Sequence, residues 1–346
     1  MTAASVTIDA GVLAVPEQDE AEDGAHRYVE TLLDWAKLLD EPWISIYMSE
    51  RASEALFMDG LYPLRDQLKR LFDAQGIVEY DVHTVATVVD RLLQLTPSFE
   101  TFFSIQDVLT ENLTLEPDVL RLCIGNGLRS DLARCVVLIA ILRTYCPQDA
   151  HEHSLILRNV DGRTLRVRAQ IYEVEHNRTD LAVLPDHPEY FEGDVLVCDD
   201  FCGLVECLDE AAILLRARDD EGVETAIRVA LYKSRLANRL TPKWEDVPRH
   251  RIGRSFRTLT QAFRPTEQLA IRVLRAIVET LEGASLADTH ALRTGPGGGD
   301  LQRMRGVDGG MRRDIDHEYH LHYWQCEDGS VEFASVVAHN DFSIPE

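Results

Sequence analysis

The spacing of apolar residues changes character partway along the chain. Between His26 and Leu39, Val29, Leu32, Leu33 and Trp35 recur at the interval of one helical face. Leu61 to Phe72 reads the same way. Asp81 stands where an N-cap belongs, ahead of Val85, Val88, Val89, Leu92 and Leu93. Pro117 fits a first helical turn, and Ser130 is placed to cap an apolar helix that reaches Tyr145 and is broken by Pro147. Residues 25–148 therefore read as an all-α domain.

After Pro147 the period shortens. Ser154 to Val160 is β-prone, Asp161-Gly162 is a hairpin turn signal, and Thr164 to Val174 alternates. Leu165, Val167, Ala169 and Ile171 face one way, and Arg166, Arg168 and Gln170 the other. Asp194 to Cys198 predicts another strand and Leu204 to Arg218 a helix, so 149–226 reads as a small α/β module. Thr266 to Leu281 has an apolar stripe of Ala270, Val273, Leu274, Ile277, Val278 and Leu281, with Gly283 as the stop. The chain ends in a predicted hairpin: Tyr319 to Cys326, the Asp328-Gly329 turn, then Val331 to Ala338. His320, His322 and Trp324 share one side of its first strand, and Tyr319, Leu321 and Tyr323 the other. The fold class is α+β, with an all-α N-terminal domain, the central module and an α+β C-terminal domain over 227–346.

Charge alters this picture at both ends. Pro16 to Gly24 is acidic and free of aromatics, so residues 1–24 read as a disordered arm. The whole chain carries a net −24, which repels nucleic acid and anionic membranes. Residues 228–313 run against it, with 17 Lys and Arg facing 8 Asp and Glu, a net of +9. No apolar run is long enough to span a bilayer and no secretory leader is visible. Seven cysteines without a paired framework point to reduced thiols in the cytoplasm.

Candidate chemistry is scattered except at the C-terminus. Cys198, Cys202 and Cys207, with His187 upstream, lack the second ligand pair of a zinc hairpin and read as buried thiols. Asp199 and Asp200 follow an apolar strand, a position that holds metals or substrates in α/β folds and that also simply begins loops. The glycine loop Gly295 to Asp300 has no Lys-Ser/Thr and is no P-loop. The terminal segment gathers Arg312, Arg313, His317, Tyr319, His320, His322, Tyr323 and His339. Histidines move protons near neutral pH, and arginines meet phosphate. His320 and His322, with His317 or His339, are also spaced to hold a metal ion, but no acid completes a familiar motif, so no metal and no cofactor is expected.

The basic helix, the arginine-bearing loop and the hairpin run of Arg312, Tyr319-His320-Leu321-His322-Tyr323-Trp324, Asp328-Gly329, Glu332 and His339-Asn340-Asp341-Phe342 resemble the RelE/ParE toxin superfamily over about 225–346. That resemblance implies a ribosome-dependent mRNA endonuclease or a gyrase-targeting relative. It implies phosphate contacts from Arg293, Arg303, Arg305 and Arg312, and catalysis by His322, Tyr319, His339 and Arg313. The functional expectation is a bacterial toxin- or defence-type protein. Its basic domain binds and cleaves RNA in preference to DNA, free or on the ribosome, without a metal. An acidic front masks or targets that domain and offers a face to a protein partner. The alternative is a non-catalytic nucleic-acid- or protein-binding subunit of an anti-phage defence complex. No membrane partner is expected.

Overall fold

The computed structural model describes residues 3–16, 24–146, 152–160, 162–179, 189–256, 266–297 and 299–346. These fold as two compact units, one reaching to Cys207 and one spanning Leu208–Glu346. The class is α+β, as the sequence indicates. Among the described residues no helix is long and apolar enough to cross a membrane.

The first unit is built on one mixed sheet. Its strands are β1 (Ala4–Ile8), β2 (Ile44–Met48), β3 (Ile105–Glu116), β4 (His153–Ile156), β5 (Thr164–His176) and β6 (Glu189–Cys198), in the order β2-β1-β4-β6-β5-β3. β2, β1, β4 and β6 run parallel; β5 and β3 add antiparallel edges. The run Ser5-Val6-Thr7-Ile8 makes a central strand because its β-branched side chains suit a surface packed on both faces. Helices α1 (Ala10–Leu13), α2 (Gly24–Leu38), α3 (Ala52–Met58), α4 (Arg65–Gln75), α5 (Val82–Leu95) and α6 (Phe99–Phe103) fill the connections before β3. The long α7 (Asn126–Tyr145) packs on the sheet and is buried almost all round, with Val136 to Leu142 fully enclosed. Its N-terminus is capped by a carboxylate from elsewhere: Asp59 accepts from the amides of Gly127 (3.0 Å) and Leu128 (2.7 Å). Gly125 is glycine for that reason, since a Cβ there would sit 2.0 Å from the Asp59 carboxyl carbon.

Five sequence expectations change here. Residues 25–148 are not all-α, and 149–226 is not a separate module: β2 and β3 come from the first, β4 to β6 from the second, and all belong to one sheet. Residues 3–16 of the expected arm are a core strand and a helix, while 17–23 lie outside the described residues. Ser130 lies inside α7 and does not cap it. The Asp161-Gly162 hairpin does not form between β4 and β5, because β6 lies between them; Asp161, Pro147 and His187 fall outside the described residues. Other readings hold. Asp81 caps α5 by accepting from Thr84 N at 2.8 Å, and Leu165, Val167, Ala169 and Ile171 are the buried side of β5.

The predicted helix over 204–218 is two helices, α8 (Phe201–Cys207) and α9 (Glu210–Arg216), with the unit boundary between them. The second unit continues with α10 (Asp220–Ala237), β7 (His250–Ile252), α11 (Glu267–Leu281), β8 (Thr289–Ala291), β9 (Met304–Arg305), β10 (Asp308–Asp314), β11 (Tyr319–Gln325) and β12 (Val331–Ala338). The sheet runs β7-β12-β11-β10-β8, with β9 beside β10. β11 and β12 are the expected hairpin. α11 buries its predicted stripe against β10 and β11, under the Arg313–Leu321 row. The tail after β12 covers the opposite sheet face: Trp324 Nε1 donates to Pro345 O at 2.8 Å and Ile344 packs on Trp324.

Candidate active site

Strand alternation divides the C-terminal residues that the sequence singles out. Register pairs Arg312 with His322 and with His290, and Arg313 with Leu321. His322, Arg312 and His290 therefore share the tail-covered face, and Arg313 points to the other. His320 and His322 are fully buried. His322 Nδ1 meets Ser343 O at 2.8 Å, Nε2 has no partner, and burial lowers its pKa. Burial also brings His320 down to about 4, against the opposing pull of Asp314, 3.1 Å away. His339 is exposed, with its ring 4.4 Å from that of His320. Tyr319 is half-buried on the Arg313 side.

Arg313 is 1% exposed and committed to Glu279 (3.0 Å) and Ala284 O (2.6 Å). It and His322 cannot reach one ligand. Arg313→Ala is expected to lower the stability of the C-terminal unit by about 2–3 kcal/mol, discounted from a fully buried pair because Glu279 keeps 31% exposure. The check is a urea denaturation midpoint; an unchanged midpoint would return Arg313 to the list of ligand-binding residues.

Arg305 is likewise committed, to Glu332 (2.8 Å) and Asp308 (3.1 Å), and lies over the Trp324 ring. Arg293 donates to Asp300 O at 2.6 Å, and Arg303 is half-buried. Much of the basic window is compensated within its own unit, by Lys233–Glu210, Arg235–Glu282, Arg251–Asp328 and Arg272–Asp316. Residues 208–346 hold 19 Lys and Arg against 22 Asp and Glu, a net of −3, which leaves −21 for residues 1–207.

A second constellation, absent from the sequence reading except for Asp199 and Asp200, lies at the carboxyl ends of the parallel strands. β1 has β2 on one side and β4 on the other, so the connections leave it in opposite directions. Open α/β sheets bind ligands in the crevice at such a switch point. Asp9 follows β1, Ser49 follows β2, Arg158 and Asn159 follow β4, and Asp199 and Asp200 follow β6. Asp9, Arg158 and Asn159 line a cavity of about 260 Å³ whose other walls are mainly apolar. Arg158 and Asn159 also line a neighbouring polar cavity of about 450 Å³ with Asp199 and Asp200. Asn159 holds a left-handed backbone (φ 55°), the kind of strain that collects at functional sites.

Asp9 is 7% exposed, and its Oδ2 accepts from Gly11 N at 2.8 Å. Gly11 has to be glycine, because a Cβ would stand 2.6 Å from that oxygen. Behind Asp9, Asp131 on α7 is 4% exposed. Its Oδ1 accepts from Ser49 Oγ (2.7 Å) and Arg134 Nη2 (3.2 Å), and its Oδ2 has no hydrogen-bond partner. Arg134 Nη2 also donates to Glu100 Oε1, whose carboxylate further accepts from Glu50 N and Ser98 Oγ. One guanidinium thus serves two enclosed carboxylates, Glu100 and Asp131, and a third, Asp9, feels the charge of Asp131. Burial, and then the charge of Asp131, push the Asp9 pKa up to about 7. Burial raises that of Asp131 too.

Such a site presents a carboxylate that titrates near neutral pH and an excess of negative charge where water is scarce. Isolated buried charge is costly unless a proton or a cation relieves it. Among the described residues no group of three or more His, Cys, Asp or Glu is arranged to hold a metal ion. Two carboxylates meet the requirement of Mg²⁺, which keeps several waters and takes further ligands from a substrate phosphate. Comparison with protein-family models, with curated proteins and with solved structures finds no match to this chain. The sequence did hold a signal for Asp9: a β-branched run ending in an acid, Ser5 to Asp9.

Proposed function

We propose that this chain hydrolyses phosphodiesters at the carboxyl edge of its parallel strands, with RNA as the substrate. Asp9 is the carboxylate at the reaction centre, and Asp131 helps it hold a divalent cation. The observation that carries this reading is a pair of carboxylates, each more than nine-tenths buried, of which Asp9 lines a cavity and Asp131 shares its one guanidinium with Glu100. The cation would polarise the phosphoryl oxygens and favour hydroxide as the nucleophile. Asp9 is poised to take the proton of the attacking water. The water oxygen bonds to phosphorus as the bond to the departing oxygen breaks, and that oxygen takes a proton from solvent while Asp9 returns its own to water. Arg158, at the cavity wall, is placed for a phosphate oxygen. A unit of net −21 repels a polyanion, so cation binding is also a condition of substrate approach. Seven cysteines without a paired framework in the sequence support a cytoplasmic setting, and RNA cleavage there is a toxin- or defence-type activity.

The test is cleavage of a labelled single-stranded oligoribonucleotide by the full chain in millimolar Mg²⁺ or Mn²⁺ and in EDTA. Cleavage is expected only with the cation, and Asp9→Asn should reduce the rate by about 100-fold or more. The same variant should be at least as stable as the parent in EDTA, because it removes a buried charge, so lost activity will not reflect lost fold. No cleavage with either cation, or parental rates from Asp9→Asn, would end this reading.

A further inference from the structure

The C-terminal unit contains a cavity of about 470 Å³ lined by Arg293, Arg312, His290 and Phe342, with the glycine loop at its rim. None of its described lining residues is acidic. That is unusual in a unit where Arg228, Arg235, Arg251, Arg272, Arg305 and Arg313 all have carboxylate partners. Arg312 has no ion pair among the described residues, and its Nε is buried without a partner. Directly across from it, on the same sheet face, fully buried His322 keeps Nε2 unpartnered, and the Oγ of Ser335, paired in register with His322, is unpartnered as well. Buried polar groups left unpaired in this way, the Arg312 Nε donor, the His322 Nε2 acceptor and the Ser335 hydroxyl, cost free energy, and clusters of them mark a place where a further group belongs.

We infer that this face binds a nucleotide unit, with its phosphate on Arg312 and Arg293 and its base against Phe342. Two guanidiniums in a recess with no carboxylate among its described lining residues, Asp300 behind the rim being held by the Gly297 amide at 2.7 Å, suit a phosphate, which accepts several charge-assisted hydrogen bonds at once. Phe342 adds what a bare phosphate would not use, an aromatic face beside those cations, on which a base stacks irrespective of sequence. Arg305 and Arg313 are excluded because both are committed to carboxylates; Arg293 and His290, on the loop and on β8, take their place. The inference does not depend on hydrolysis at Asp9, because the two rest on different residues.

The experiment uses the full chain in EDTA, so that no cation-dependent cleavage intervenes. Binding of a fluorescent single-stranded oligoribonucleotide is followed by anisotropy across a salt series, with AMP and inorganic phosphate as competitors. Arg293→Gln and Phe342→Ala, both away from the buried core of the sheet, are each expected to weaken binding by about tenfold, and Arg293→Gln to lower the salt slope by about one. Arg312→Gln should do the same if its thermal midpoint is unchanged. Competition by AMP at micromolar concentration identifies a free nucleotide as the ligand; competition by neither small molecule identifies a strand. Absence of binding, or binding indifferent to Arg293→Gln and Phe342→Ala, overturns the inference, as does displacement by inorganic phosphate and AMP with equal potency, since the base would then contribute nothing.

Discussion

Arg134→Ala is expected to cost the N-terminal unit about 3–5 kcal/mol, enough to leave much of it unfolded at neutral pH. Arg134 is 7% exposed, and its Nη2 serves Glu100, Asp131 and Ser49 while Nη1 donates to Gln106 O at 2.8 Å. Removing it leaves Glu100, 1% exposed, and Asp131 with no cation. Asp131, already raised by burial, then favours its protonated form further, and the folded state binds more protons than the unfolded one. The variant should therefore gain more stability than the parent as the pH is lowered from 7.5 towards 5.5, over and above the gain that Asp9, raised to about 7, gives to both. Urea midpoints at the two pH values check both parts. A loss under about 1 kcal/mol, or no relief in acid, would mean that solvent reaches these carboxylates and would weaken the argument for a cation at Asp9.

The amphipathic segments were legible because their burial is one-sided. α5 with its Asp81 cap, the alternating β5, the α11 stripe and the β11–β12 hairpin all declare a period in the sequence. β1 and β2 declare too little of one. Each is five residues long; Ala4, Val6 and Ile8 alternate with Ser5 and Thr7 for that short run only, Tyr47 blurs Ile44–Met48, and both strands pair parallel, so neither has a hairpin turn beside it. Without them the first 148 residues look helical, and the acidic stretch after Pro16 makes what precedes it look like part of an arm. The site followed the same rule. Asp9, Ser49, Glu100 and Asp131 are distant in sequence: the parallel sheet brings the strand ends at Asp9 and Ser49 together, and α6 and α7 supply Glu100 and Asp131. At the C-terminus the residue types were legible but their sides were not all used. Adjacent Arg312 and Arg313 look equivalent in a chain of letters, yet alternation sends one to a cavity and the other to Glu279.

His153 sets a second large effect, on acid stability. It sits on β4 beside β1, fully enclosed, with Nδ1 at 2.8 Å from Ser5 Oγ and Nε2 at 2.8 Å from Thr7 Oγ1. Burial, and then the charge of Arg143, bring its pKa down from 6.5 to about 3. In the unfolded chain the imidazole takes up its proton below about 6.5; in the fold it stays neutral until about 3. The unfolded state thus binds more protons across that window, so stability falls as pH falls through it, by up to roughly 5 kcal/mol at about 1.4 kcal/mol per unit. Carboxylates with lowered pKa, such as Asp107 and Asp316, add to the acid loss, so the parent slope alone does not isolate His153. His153→Gln does. It keeps one polar contact to β1 and cannot ionise, so it should be less stable than the parent at pH 7 and should lose less between pH 6.5 and 4. The difference between the two slopes is the contribution of the histidine. Parallel slopes for parent and variant would show that the imidazole is reached by water and titrates normally, and β1 would then not be the sealed central strand on which the placement of Asp9 depends.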